Sequence, residues 1–111
     1  MADQIMKNIN SEEVLSLADQ VTIMPGQIVS KTLVQNKAVS ITLFAFAKGE
    51  EISTHESDGD AMVTILEGVG KLTVDGKEYI AKAGDTLIMP SRKPHAVFAE
   101  EDFKMSLVVV F

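Results

Sequence analysis

The side chains best equipped for chemistry in this sequence are its two histidines, His55 and His95, forty residues apart. Imidazole titrates near neutral pH, offers one donor and one acceptor nitrogen when neutral, and ligates metals. Cysteine is absent, so no thiolate can share that work and no disulfide can form. Two imidazoles alone hold a metal weakly, because catalytic sites normally take three protein ligands. Asp58 and Asp60, in the polar stretch after His55, and Gln35, on an earlier strand, could complete a set, but spacing assigns none of them. Without a metal the two rings can still exchange protons with a substrate, sense pH, or hydrogen-bond a ligand or each other.

Arg92 and Lys93, the one adjacent basic pair, lie just before His95. They read either as a clamp for a carboxylate or phosphate on a small ligand or as solvated loop charges. Met62, Met89 and Met105 fall on strands and read as core filling. Sixteen acids against ten bases leave a net charge of −6, with no basic stripe, and so argue against a nucleic-acid partner. Glu12, Glu13, Glu50, Glu51, Glu100, Glu101 and Asp102 read as solvated turns. The most apolar stretch near the end, Leu107 to Phe111, is five residues long and reads as a buried strand, so no membrane span is expected. Met1-Ala2-Asp3-Gln4 lacks the basic start of a secretory signal, and a cytoplasmic location is expected.

The elements that must position these residues are mostly short strands. Residues 1–22 read as an N-terminal helical segment, with Asn10 as cap, Glu13 completing a capping box, and Ile9 and Val14 placed as a hydrophobic staple. Residues 23–111 read as a β-barrel. Val39, Ile41, Leu43 and Ala45 share one strand face, and Lys48-Gly49-Glu50 ends that strand. Ser57-Asp58-Gly59-Asp60 is a polar loop before the strand Ala61 to Leu66. Glu67-Gly68 turns the chain into Gly70 to Val74, and Asp75-Gly76 is a strong hairpin signal. Lys77 to Ala81, Thr86 to Met89, His95 to Ala99 and Phe103 to Phe111 complete the series. Eight or more short strands with tight turns predict a closed, all-β barrel or jelly roll, in which closure removes exposed edges. With 111 residues there is room for a single domain.

The turn and histidine spacing resembles the cupin superfamily in its small single-domain form. Its first motif runs glycine, five residues, His-x-His, three or four residues, glutamate, six residues, glycine. This sequence reads Gly49, five residues, His55-Glu56-Ser57, three residues, Ala61, six residues, Gly68. The second motif runs glycine, five residues, proline, x, glycine, two residues, histidine, three residues, asparagine. Here it reads Gly84, five residues, Pro90-Ser91-Arg92, two residues, His95, three residues, Ala99. The wording Gly59-Asp60-Ala61 and Phe103-Lys104-Met105 also looks like a group of small bacterial cupins.

The resemblance implies a cupin jelly-roll barrel (double-stranded β-helix) with a short N-terminal helix packed outside. In metal-binding cupins, two histidines and a glutamate of the first motif join one histidine of the second. Here Ser57 and Ala61 occupy two of those four slots, leaving His55 and His95 as metal candidates for Zn, Fe, Ni or Cu. Two functions remain open. The first is a module that binds a small polar or anionic molecule inside the barrel, with His55, Ser57, Ala61, Arg92 and His95 as contacts. The second is a metal-dependent oxygenase or isomerase using His55 and His95 with a further ligand or waters. The resemblance also implies a homodimer formed sheet to sheet or by exchange of the segment Ile28 to Val34.

Overall fold

Alternation of apolar and polar side chains carries through into strands along most of the chain. The computed structural model describes residues 5–111. Among them the strands are β1 (Ile28–Gln35), β2 (Val39–Phe46), β3 (Glu51–His55), β4 (Asp60–Glu67), β5 (Val69–Val74), β6 (Lys77–Lys82), β7 (Thr86–Met89), β8 (His95–Ala99) and β9 (Phe103–Val110). The expected turns join them. Asp75 and Gly76 both take positive φ, 51° and 82°, as a two-residue I′ hairpin requires. At the β6–β7 turn the Lys82 amide donates to Asp85 Oδ2 at 2.9 Å.

The strands make two sheets, one of five strands in the order β1-β2-β9-β4-β7 and one of four in the order β3-β8-β5-β6. Every neighbouring pair is antiparallel. Neighbours such as β4 with β9 and β3 with β8 are distant in sequence, which is the winding of a jelly roll. Inward residues of both sheets form the core, including Phe46, Val63, Ile65, Leu72, Met89, Val97, Phe103 and Met105. The Phe46 and Phe103 rings stack within this core, with centroids 4.7 Å apart.

The N-terminal helix reduces to a single 3-10 turn, Leu17–Gln20. Asn10 caps no helix; its Nδ2 donates instead to Glu13 Oε1 at 3.1 Å. Asn8 and Glu12 take positive φ, which breaks a helical path, and Val14 is fully exposed, so no staple forms. The reason is tertiary. The outer faces of β1 and β2 carry Leu33, Leu43 and Ala45, and an extended strap covers them with Ile9, Val21 and Ile23. Lys104 Nζ pins the strap by donating to the Ala18 carbonyl at 2.7 Å. β1, which contains the segment Ile28 to Val34, pairs antiparallel with β2.

Candidate functional site

The two histidines meet as direct cross-strand partners. β3 and β8 run antiparallel, and the register pairs His55 with His95 after a bulge beyond Ile52. Opposite residues on neighbouring strands hold their Cβ atoms about 5 Å apart. The rings accordingly lie edge to face, with centroids 4.2 Å apart and planes at 67°. His95 is buried, whereas His55 is exposed.

Each ring is oriented in the same way. Nδ1 of His55 lies 2.9 Å from the Ser53 carbonyl, and Nδ1 of His95 lies 2.9 Å from the Lys93 carbonyl. A carbonyl oxygen can only accept, so Nδ1 carries the proton in both rings. In the neutral ring this leaves Nε2 with a free lone pair. The carbonyl two residues back therefore fixes the tautomer of each histidine.

Both rings open onto a cavity of about 140 Å³ between the sheets. Its wall is otherwise apolar, with Phe44, Ile52, Val63, Met89, Val97, Met105, Leu107 and Val109. Ser57 and Ala61 also line it. The Ser57 hydroxyl donates to the Gly59 carbonyl at 3.0 Å, so its proton is already committed.

Arg92 stands apart from this wall. Its side chain is 80% exposed, with Nε 3.9 Å from Asp58 Oδ1. Its backbone does the closer work: the Arg92 amide donates to the Ser57 carbonyl at 2.8 Å, tying the two motif loops together. Asp60 belongs to the same tie, its Oδ1 accepting from the Ser91 amide at 2.8 Å. Gln35 is exposed at the end of β1. The structure thus brings together His55, Ser57, Ala61 and His95, and leaves Arg92 at the rim.

Residues 42–111 match the family described as Cupin domain, over more than half of the chain. The chain belongs to the cupin family. This cupin superposes on a conserved protein of unknown function from Streptococcus pyogenes with a TM-score of 0.96 and 45% identity, covering 99% of this chain and 96% of that one. It is 34% identical to a cupin superfamily protein from Desulfitobacterium hafniense, with a TM-score of 0.91 and coverage of 96% and 97%. A 5-nitrosalicylic acid 1,2-dioxygenase from a Bradyrhizobium species is 34% identical over 62 residues, which is 56% of this chain and 30% of that enzyme. This cupin therefore spans less than a third of the dioxygenase's length.

The donor set of this cupin does not fit the metal centre that its family implies. Two imidazoles are present, Ser57 donates elsewhere, and Ala61 offers a methyl group where the motif has glutamate. Among the described residues no cluster of three or more His, Cys, Asp or Glu side chains could hold an ion. Catalytic centres for divalent ions normally take three such protein ligands.

The sequence reading passed over much of the wall. Ile52 lies on β3, a strand that went unassigned because Glu51, Ser53, Thr54 and His55 are exposed and give no apolar repeat. Met89 and Met105, read as core filling, are core and also face the cavity. Strand alternation was the available signal for the others, since Val63, Leu107 and Val109 occupy inward positions beside known motif residues.

Proposed function

We propose that this cupin is a binding module for a small molecule with an apolar body about one ring in size and one polar group. The polar group is held by Nε2 of His55 and His95. The observation that supports this is the pairing of two rings, both tautomerically fixed to present Nε2, in a wall otherwise almost free of polar groups. An apolar cavity of about 150 Å³ accommodates a benzene-sized molecule, so the volume here suits a single ring. Two lone pairs favour a hydrogen-bond donor, such as a hydroxyl, over a bare anion. No lysine or arginine lines the wall, so the anionic ligand expected from sequence has no counter-charge inside.

Methyl and amide NMR titrations with phenol, toluene and benzoate test this reading. Phenol is expected to give saturable shifts at Met89, Val97 and Leu107, and toluene and benzoate weaker ones. His95→Leu should weaken phenol about tenfold, the scale of one hydrogen bond. Equal affinity for toluene and phenol, or shifts remote from the cavity, would remove the role given to the histidines.

The likeness to a dioxygenase supports a second reading, a metal-dependent enzyme. Elemental analysis separates the two. Stoichiometric Zn, Fe or Ni in the wild type, and none in the His55→Ala/His95→Ala variant, would carry the enzyme reading.

We also propose that the chain forms a homodimer through the outer face of its larger sheet. Met62, Thr64, Thr86, Ile88 and Val108 form an uncharged patch there, with Met62 paired to Ile88 on one side and to Val108 on the other. Met62 and Ile88 are exposed. A second copy presents the same uncharged patch, so the contact is self-complementary and brings no like charges together.

A further inference from the structure

We propose that the seam between the edges of the two sheets is a second binding site, for an organic monoanion. Its ligand is a carboxylate on an apolar body larger than one ring. β7 is an edge of the larger sheet and β6 an edge of the smaller one. The groove at this seam measures about 410 Å³, against about 140 Å³ for the histidine cavity, and the two share no lining residue. Sites for small organic molecules run from about 300 to 1,000 Å³, so the groove is large enough to hold one. Val74, Leu87, Ile88 and Pro90 give it an apolar side. Val74 and Leu87 are half-buried and pack against the core, which fixes that side in place.

The polar side carries the charge that the interior lacks. Lys77, Lys93 and Asp75 line it together with Tyr79. Two ammonium groups and one carboxylate leave one net positive charge, in a chain whose total is −6. That balance suits a ligand with a single negative charge and leaves the second charge of a phosphate unmatched. Lys93 Nζ stands 3.3 Å from Asp75 Oδ2. An ammonium has three donors, so Lys93 can keep Asp75 and also take a carboxylate oxygen. Lys77 enters no ion pair among the described residues, and its Nζ lies 5.2 Å from the centre of the Tyr79 ring. The basic pair of the sequence therefore divides: Arg92 stands beside Asp58 at the rim, whereas Lys93 faces the groove.

The walls of the groove are tied to one another. The Asp75 amide donates to the Pro94 carbonyl at 2.8 Å, and the Lys93 amide donates to the Pro90 carbonyl at 3.2 Å. These bonds join the β5–β6 hairpin to the loop before β8. The backbone segments that carry the two lysines are thus in place before a ligand arrives, which lowers the cost of binding. Ile88 alone is shared with the uncharged patch of the larger sheet; the charged residues stand on the hairpin, on β6 and in the loop after β7. The proposal does not rest on the phenol reading. A two-ring acid exceeds the one-ring interior cavity, and uncharged phenol has no charge to offer the lysines, so either reading can fail while the other stands.

The test is NMR titration of the full chain with 2-naphthoate at low salt, followed at the ring protons of Tyr79. That residue is the only tyrosine in the sequence, so the readout needs no variant to fold. A saturable shift is expected. Lys77→Gln/Lys93→Gln, at two exposed positions, should weaken binding about fivefold, the scale of two exposed charge contacts. 2-Naphthamide, with the same body and no charge, should bind more weakly than the acid, and high salt should weaken the acid alone. Lys82→Gln, at an exposed lysine on β6 outside the groove, should leave the affinity unchanged. An unmoved Tyr79 ring, equal affinity for amide and acid, or a double variant that binds like wild type would each overturn the proposal. An equal loss in Lys82→Gln, or tighter binding of inorganic phosphate than of 2-naphthoate, would do the same.

Discussion

Arg92 stands at the position where the cupin motif has glycine, and the structure shows what that glycine is for. The residue adopts φ of 65°, in the left-handed region that side chains other than glycine enter at a cost of about 1–2 kcal/mol. Its amide must point at the Ser57 carbonyl to join the two motif loops, so the backbone cannot relax. The exposed contact between Arg92 and Asp58, at 3.9 Å, offsets little of that cost. Arg92→Gly is therefore expected to raise stability. The gain is roughly 0.5 kcal/mol, because the added freedom of glycine in the unfolded chain cancels part of the relief. Urea unfolding measures it, and a loss of stability would show that the guanidinium contributes more than its exposure suggests. His55 and His95 were legible as a pair from motif spacing. Their shared tautomer was not, since it depends on which carbonyl each Nδ1 meets.

The turn between β4 and β5 depends on Gly68, whose φ is 77° and whose hydrogen faces the connection between β8 and β9. A methyl group there would run into the Asp102 carbonyl oxygen and the backbone of Phe103. Gly68→Ala is expected to cost more than about 2 kcal/mol, read as a lowered urea midpoint. Gly76 provides the contrast. Its φ is 82°, but a methyl group would meet open space, so Gly76→Ala should cost only about 1 kcal/mol. The N-terminal strap is held by packing on β1 and β2 rather than by helical propensity. Deleting residues 1–22 uncovers Leu33, Leu43 and Ala45 while leaving the barrel strands intact. The shortened chain should melt earlier and bind a hydrophobic dye such as ANS, whereas an unchanged melt would mean the strap is not part of the fold's stability. Sequence pattern placed most strands because their burial alternates. It placed a helix on the strap because spacing of Val14, Leu15, Leu17 and Ala18 is equally compatible with a segment whose partner surface is elsewhere.

The outer face of the larger sheet is covered at one end by the strap and carries Met62 and Ile88 uncovered at the other. If a second copy covers that end, Met62→Lys/Ile88→Lys should convert a dimer to a monomer in sedimentation velocity, with the interior unaffected because both side chains point outward. A wild-type chain that sediments as a monomer across the micromolar range would remove the dimer. For the molecule as a whole, the residues alone determined an all-β chain with two histidines in matching motif slots, because turn glycines, prolines and strand alternation are local signals. The resemblance then supplied the jelly-roll winding. Tertiary structure alone decided that β3 and β8 lie side by side, that Met89 faces the gap at Ala61, and that Arg92 stays at the rim. Those facts turn on sheet order and register, where a shift of one residue exchanges the inner and outer faces of a strand. A chain read in one dimension does not carry that information.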